Sequence, residues 1–227
     1  MKRRVVGGVL GLVVVLGVAW MMSRAPRQWS VLLVVSEPPA GAWLPAAASG
    51  PATPRLSKLG GAGVRLPLVA PSLALSEWLT EVIGASGPSR SVLSIWQQRG
   101  WPTVGASAVG VPSALRARFQ EFPEPGSSGV VDAALDGLEA AGVSPSQSPL
   151  VVVVAQPRSA EEWDGMISRL LDGVAARMSL SRTMVVVVDR GDRSALLIAP
   201  DRPDGLVVTG ALSPSQLGAE IRRWLRL

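Results

Sequence analysis

The sequence predicts an α/β domain whose mostly parallel sheet is flanked by helices, and three observations indicate this fold class. Two short runs, Leu150–Ala155 and Met184–Val188, contain only apolar and mostly β-branched residues, which is typical of strands buried on both faces. Predicted strands alternate with amphipathic helices along the chain. Capping signals mark helix starts, as where Glu162 follows Ser159 after three residues. The 227 residues are enough for one domain around a full core.

The first element is an apolar segment that predicts a membrane anchor. Val5–Met22 carries no charge, and as a helix it would span about 27 Å, enough for a bilayer core. Basic residues precede it, so the positive-inside rule leaves the N-terminus in the cytoplasm. Residues 1–28 are then a cytoplasmic basic tip with a signal anchor in the inner membrane. Residues 29–227 form the extracytoplasmic, periplasmic domain of a single-pass protein.

Cleavage of this segment is the competing interpretation. Ser23-Arg24-Ala25 offers small residues at the −3 and −1 positions of a signal-peptidase site. Cutting there would leave Pro26 at the new N-terminus, which disfavours this site. The sequence therefore favours an uncleaved anchor and leaves cleavage open.

Charge excludes nucleic acid as a partner. The net charge of +5 is supplied by five basic residues before position 31, which leaves 17 basic and 17 acidic residues in the remainder. A neutral folded part has no electrostatic footprint for a phosphate backbone. The five residues are Lys2, Arg3, Arg4, Arg24 and Arg27.

Two residue types are absent, and their absence restricts the chemistry. The chain has no cysteine, so it has no disulfide, no thiolate nucleophile and no sulfur ligand for a metal. It has no histidine, which removes the commonest general base and the usual ligand of transition metals.

The remaining elements follow in order from apolar periodicity and from turn and capping residues. Strands are predicted at Trp29–Val35, Val64–Val69, Pro102–Ala106, Leu150–Ala155, Thr183–Val188, Ser194–Ala199 and Leu206–Thr209. Helices are predicted from Thr53-Pro54 to Gly60, Gly61 and Gly63, at Ser76–Ile83, Ser89–Arg99 and Ser128–Ala141, and from the capping residues Ser159 and Ser213.

One strand end is the centre of the functional prediction. The strand from Thr183 delivers Asp189, Arg190, Gly191 and Asp192 to the carboxyl edge of the predicted sheet. Open α/β sheets place their ligand crevice at this edge.

The order of the elements resembles the sulfatase branch of the alkaline phosphatase superfamily. TPRLSKLGGAGVRLPLVAPS, Thr53–Ser72, is the most specific match, to the family's "T-P-N-L-D-x-L-A-x-x-G-V" segment. WSVLLVVSE is similar to the family's opening strand, and SRSVLSIWQQRGWPTVGA, Ser89–Ala106, to its "L-x-x-x-G-Y-x-T" segment. Trp163–Asp192 resembles the helix and strand that lead to "S-D-H-G", and SALLIAP the strand after it. The resemblance implies a sulfatase-like fold.

The same resemblance implies that catalysis has been lost. The family's first metal-binding aspartate falls on Ser36, with Glu37 beside it, and the second falls near Gly41. The nucleophile falls on Ala74. Of "D-H-G", the aspartate is kept as Asp189 but the histidine is replaced by Arg190. These vestigial positions predict no catalytic residue and no cofactor, and hence a pseudoenzyme with a binding or scaffolding role.

Two alternatives stay open. Glu37, Asp189 and Asp192 would converge on a divalent cation if the chain were a reduced but active sulfate or phosphate ester hydrolase. An envelope structural protein whose α/β pattern only imitates the family is the other alternative.

Arginine and hydroxyl side chains near the predicted edge have competing interpretations. Arg190 favours an Asp–Arg structural pair or a solvated loop over a metal site. Arg190, Arg193 and Arg202 are an alternative edge for an anionic ligand, the other predicted partner besides an envelope protein. Ser72, Ser76 and Thr80 have no histidine to activate them as nucleophiles, and Ser76 suits a helix N-cap. Asp201 and Asp204 indicate a turn.

The eight tryptophans divide by context. Those on helix stripes are predicted core residues, those beside the apolar segment suit a membrane interface, and those in loops are candidates for partner contacts or ordinary packing. The three groups are Trp78, Trp96, Trp163 and Trp224; Trp20 and Trp29; and Trp43 and Trp101.

Overall fold

The computed structural model describes residues 29–37, 53–69, 73–84, 91–125, 129–199 and 210–225. The strands are β1 (Ser30–Ser36), β2 (Val64–Pro67), β3 (Thr103–Ser107), β4 (Leu150–Ala155), β5 (Thr183–Asp189) and β6 (Ser194–Ile198). The helices are α1 (Pro54–Ala62), α2 (Leu75–Leu79), α3 (Val92–Gln98), α4 (Ser113–Arg116), α5 (Val130–Ala140), α6 (Ala160–Ala175) and α7 (Pro214–Leu225). A π-helical turn, Thr80–Gly84, continues α2, and a 3₁₀ turn, Leu180–Arg182, precedes β5.

The six strands form one mixed sheet in the order β2-β6-β5-β1-β4-β3. Strands β5, β1, β4 and β3 are parallel, whereas β6 runs antiparallel to β5 and β2 antiparallel to β6. The prediction of an α/β fold with a mostly parallel sheet is confirmed. Because β5 lies beside β1, their carboxyl ends meet at one edge.

Side-chain alternation along the central strands builds two cores, one on each face of the sheet. Val31, Leu33 and Val35 of β1 belong to the core that includes α2, α3 and α7. Leu32 and Val34 belong to the core under α1, α5 and α6. The fold is therefore a three-layer arrangement in which helices cover both faces, and this explains the unbroken apolar runs in the strands.

The helix boundaries differ from the sequence prediction at several ends. Of the three glycines expected to end α1, Gly63 is confirmed as the C-cap, whereas Gly60 and Gly61 lie inside the helix, which continues to Ala62. The third helix begins at Val92 rather than Ser89, since the Ser91 hydroxyl accepts a hydrogen bond from Ser94 N at 2.9 Å and caps it.

The N-terminus of α1 is capped from another helix. Thr53 makes no side-chain capping bond, contrary to the predicted polar N-cap. Asp164 of α6 does so instead: its carboxylate accepts from Leu56 N at 2.6 Å and from Arg55 N at 3.2 Å. A buried carboxylate here satisfies two of the amides that a helix start leaves unpaired. The Arg55 side chain also reaches Asp172 at 2.9 Å, so α1 is fixed to α6.

The predicted core tryptophans are buried, and one further tryptophan joins them. Trp78, Trp96, Trp163 and Trp224 are all in the interior. Trp29 is also packed into the core beside β1, so its expected place at a membrane interface is wrong. The ring of Trp101 lies edge-on to Trp96 at 5.3 Å between centroids; Trp101 is half-buried and packs, as one of the two interpretations expected.

Several predicted features lie outside the described residues. Within those ranges, no helix is both long enough and apolar enough to cross a membrane. The features outside are Val5–Met22, Trp20, Gly41, Trp43, Ser72, Asp201, Arg202, Asp204 and the strand Leu206–Thr209.

Candidate functional site at the carboxyl ends of β1 and β5

The parallel register of β1 and β5 brings two of the predicted site residues side by side. Ser36, the last residue of β1, is the direct partner of Asp189, the last residue of β5. Both side chains are fully buried. By the alternation of the strands, they point to the face covered by α1, α5 and α6. The next residues of both strands, Glu37 and Arg190, point to the opposite face.

Arg190 ties three segments together at this edge. Its Nη1 pairs with a carboxylate oxygen of Glu37, and its Nη2 donates to the carbonyl oxygen of Leu73 at 2.8 Å. The Arg190 backbone N–H donates to the carbonyl oxygen of Ser36 at 3.3 Å, and the guanidinium lies 5.9 Å from the ring centroid of Trp78. The ends of β1 and β5 and the chain leading into α2 are thus joined by one side chain.

Arg190 is well shielded from solvent. Only 7% of its side chain is exposed, against 29% for Glu37. A planar guanidinium is suited to bridge a carboxylate and a carbonyl at once, because its N–H donors have a fixed geometry. The predicted Asp–Arg pair is therefore corrected in one respect, since the carboxylate that pairs with Arg190 is Glu37.

Asp189 organises the tight connection between β5 and β6. Its Oδ1 accepts from Gly191 N at 2.9 Å and from Asp192 N at 3.1 Å. This is the local turn chemistry expected of an aspartate at the end of a strand. Arg193 completes the turn with a φ of 52°, and its carbonyl oxygen accepts from Leu68 N at 2.7 Å.

Asp192 is engaged on the far side of the turn. Its carboxylate pairs with Arg65 of β2 and accepts from the Ser194 hydroxyl at 2.8 Å. Glu37 and Asp192 thus each have an arginine partner of their own. In the part of the chain that the structure describes, no three acidic, histidine or cysteine side chains are grouped so that they could hold a metal ion.

Ala74 is brought to the same edge. The preceding carbonyl, that of Leu73, is the one bound by Arg190, and Ala74 N donates to the Glu77 carboxylate at 3.4 Å at the start of α2. Through Leu73, Ala74 lies near the end of β5 that carries Arg190. The position expected for a nucleophile carries only a methyl group.

The other hydroxyl candidates of α2 have structural contacts. Thr80 Oγ1 donates to the carbonyl oxygen of Ser76 at 2.7 Å, where the helix widens into the π-helical turn. Ser76 lies inside α2 rather than at its N-cap, so its predicted capping role is wrong. Neither hydroxyl has a histidine that could activate it, because the chain has none.

The donors at this edge do not fit a divalent cation. Such ions need six or more oxygen ligands, or an octahedron of them. A buried guanidinium lies between Glu37 and the Leu73 carbonyl, and Ser36 offers an uncharged hydroxyl in place of a carboxylate. Ser36 Oγ and Arg190 Nε are both buried, and neither has a hydrogen-bond partner among the described residues. The Arg190 guanidinium is a buried cation that offers no lone pair, so it is unsuited to a second positive charge beside it.

The predicted anion-binding edge is only partly formed. The guanidinium of Arg190 is used by Glu37 and Leu73, and only Arg193 of the predicted residues described is exposed. Within the described residues, no contact joins Arg193 to Arg190 to form one anion-binding site.

Comparison with solved structures identifies the fold. Neither a protein-family model nor a curated protein sequence matches this chain. A protein in the alkaline phosphatase superfamily from Vibrio parahaemolyticus superposes with a TM-score of 0.58 at 13% identity, over 88% of this chain and 66% of that one. The C-terminal periplasmic domain of EptC from Escherichia coli gives 0.62 at 10% identity, over 87% and 82%. Lipoteichoic acid synthase LtaP from Listeria monocytogenes gives 0.60 at 10% identity, over 88% and 72%.

At these identities the comparisons establish a shared fold. The chain has the α/β fold of the alkaline phosphatase superfamily, and the predicted resemblance is confirmed at that level. The chain spans about two thirds of the length of the first of these structures. The EptC domain has also been solved in complex with zinc, at a TM-score of 0.59.

The sequence did not reveal the partners of the site residues. Nothing in the local pattern indicated that the carbonyl of Leu73 would accept from Arg190, or that Arg65 would pair with Asp192. Both contacts depend on strand order, which the sequence leaves undetermined. The sequence indicated only that Glu37 follows one predicted strand and that Arg190 follows another.

Proposed function

We propose that this chain is a membrane-anchored, extracytoplasmic sulfatase-like domain that does not catalyse ester hydrolysis and acts by binding or scaffolding. The anchor is the predicted segment Val5–Met22, which precedes the described residues. The fold shared with the periplasmic domain of EptC supports an extracytoplasmic location.

One observation carries the proposal: Arg190 forms an internal cross-link at the edge where the resemblance implies an ion and a nucleophile. Its guanidinium already neutralises Glu37 and binds the Leu73 carbonyl, so its positive charge is not available to stabilise a developing anion. Ala74 has no nucleophilic atom. The shared fold disfavours the alternative in which the α/β pattern only imitates the family.

A domain without catalysis would act through its surface, which the anchor holds next to the membrane. Exposed large apolar side chains are scarce in the described ranges, where Val69 is the one example, at 46% exposure. A partner is therefore expected to bind through polar contacts or a local pocket rather than through a broad apolar face.

An assay of ester hydrolysis tests the proposal. The full chain, in detergent micelles, would be incubated with nitrophenyl phosphate, bis-nitrophenyl phosphate and nitrophenyl sulfate, with Mg²⁺, Mn²⁺, Ca²⁺ or Zn²⁺ added in turn. We expect no turnover above that of the Asp189→Asn variant. Asparagine preserves an oxygen acceptor for Gly191 N and Asp192 N but removes the charge, so the turn is kept.

The contrary result is equally defined. Cation-dependent turnover by the native chain that disappears in Asp189→Asn, while both proteins unfold at the same temperature, would show an active hydrolase. Glu37 and Asp192 would then be the next positions to replace.

A further inference from the structure

A second concave site lies away from the Arg190 edge. A pocket of about 290 Å³ opens beside Ser107, the last residue of β3. We refer to it as the β3 pocket; its apolar walls are Val109, Val111 and Phe122, and its charged residues are Arg116 and Glu124. Strand β4 lies between β3 and β1, so this pocket is separate from the Arg190 contacts. It still lies at the carboxyl edge of the parallel strands, where α/β folds place ligands.

The walls of the β3 pocket are held in place by the fold. Gly105 of β3 lets the Phe122 ring approach its backbone so closely that a Cβ there would overlap the ring. Phe122 also contacts Phe119 edge-on, at 5.4 Å between centroids. The Ser107 hydroxyl donates to the carbonyl oxygen of Val109 at 2.8 Å and so fixes the loop after β3. A preformed pocket loses little entropy when it binds.

Arg116 places one positive charge in the pocket. Its guanidinium lies 5.3 Å from the ring centroid of Phe122, an arrangement that fixes its orientation. Its Nη1 pairs with Glu124 at 2.8 Å. About a third of the Arg116 side chain is exposed, whereas the Glu124 side chain is 76% exposed. The Glu124 carboxylate is therefore solvated, and an external anion can reach the Arg116 guanidinium with which it pairs. An exposed ion pair of this kind contributes little to the free energy of folding.

The size of the pocket limits the ligand. A deeper cavity on the other side of Phe122 and Val111 has a volume of only about 10 Å³, about the size of one water-sized sphere. An apolar group must therefore lie in the β3 pocket itself. A volume near the lower end of the usual range for ligand pockets suits a short chain or a single ring.

We propose that the β3 pocket binds a small amphiphilic anion: a phosphate, phosphonate, sulfonate or carboxylate that carries a short alkyl or aryl group. The anionic head replaces the Glu124 carboxylate on Arg116. The apolar group lies against Phe122, Val109 and Val111. This inference rests on the binding role proposed above and names the class of ligand that is bound. It does not depend on the contacts of Arg190.

Butylphosphonate is a suitable probe, because its carbon–phosphorus bond is not a substrate for ester hydrolysis. Its binding to the full chain in nanodiscs of phosphatidylcholine would be measured by ligand-observed NMR titration. Methylphosphonate carries the head without the chain, and butanol the chain without the head. We expect both to bind more weakly than butylphosphonate. Equal affinity for methylphosphonate and butylphosphonate would overturn the proposal, because the apolar walls would then contribute nothing.

Two variants of one ion pair should change the affinity in opposite directions. Arg116→Ala should weaken butylphosphonate binding about tenfold, because a charge-assisted contact is lost. Glu124→Gln should tighten binding by up to about fivefold, because a competing carboxylate is removed. Glu139→Gln is the matched control: Glu139 is 77% exposed and pairs with Arg177 at 3.5 Å, and its replacement should leave binding unchanged.

Glu124 is exposed and Arg116 is partly exposed, so the unfolding temperature should change little. Weaker or unchanged binding in Glu124→Gln would overturn the proposal.

A further titration with phosphatidylglycerol added to the nanodiscs distinguishes two sources of the same anionic group, a lipid and a soluble molecule. If phosphatidylglycerol competes with butylphosphonate, the ligand is a lipid headgroup. If it does not compete, the ligand is a soluble molecule. Ester hydrolysis that requires Asp189 would overturn the proposed function but not this site, so the two failures are distinguishable.

Discussion

Replacing Arg190 with methionine is expected to lower the free energy of unfolding by about 2–3 kcal/mol. Methionine keeps the apolar stem near Trp78 but removes the donors to Glu37 and to the Leu73 carbonyl. Removal of one partner of a buried ion pair costs about 3–5 kcal/mol, and the 29% exposure of Glu37 reduces that cost here because water solvates the remaining carboxylate. Urea denaturation followed by tryptophan fluorescence measures the change.

Arg193→Met is the matched control for this prediction. Arg193 is in the same turn and is exposed, and methionine and arginine have the same difficulty in adopting its φ of 52°. The control should change stability by less than about 0.5 kcal/mol. In the double variant with Glu37→Gln, the loss from Arg190→Met should shrink, because no charge is left unpaired. Equal effects of the two arginine substitutions would show that Arg190 does not hold the edge together.

Gly218→Ala is expected to lower the free energy of unfolding by about 2–3 kcal/mol. In α7, Gly218 packs directly on the π-helical turn that continues α2. A methyl group at this position would overlap the carbonyl oxygen of Val82 and lie 3.1 Å from its carbonyl carbon. The obstacle is backbone, so the two helices would have to separate. This cost exceeds the gain of about 1 kcal/mol that alanine brings to a helix interior.

Gly165→Ala is the same chemical change, and it is expected to have the opposite effect on the free energy of unfolding. Gly165 is exposed in the interior of α6, and nothing lies within 4 Å of the position of a Cβ. Alanine there should raise stability by about 0.5–1 kcal/mol. If both substitutions stabilise the chain, the close contact between α7 and the π-helical turn is absent in solution.

The sheet could be predicted from the sequence because its central strands are unambiguous. The apolar runs of β4 and β5 have no polar face, so only burial between two helical layers accounts for them. The capping box at Ser213 is confirmed as well: Ser213 N donates to Gln216 Oε1 at 2.8 Å, and Gln216 N to the Ser213 hydroxyl at 3.3 Å. These signals are local, and they were sufficient.

The contacts of the site could not be predicted, because they depend on tertiary placement. Glu37 and Arg190 are far apart in sequence and meet only because β5 pairs with β1 in one particular register. Asp164 shows the same limitation. It lies in α6 and caps α1 across the helical layer, a contact that no local sequence pattern indicates. Strand order and helix packing determine which charges meet, and periodicity carries no information about either.

Direct measurement of bound divalent cation tests the central claim, that Arg190 stands where an ion would otherwise bind. The full chain would be dialysed against Mg²⁺, Mn²⁺, Ca²⁺ or Zn²⁺, and its metal content determined beside that of Asp189→Asn. We predict the same metal content in both proteins and no change in unfolding temperature after treatment with EDTA. One equivalent of metal in the native chain that is lost in Asp189→Asn would contradict the claim.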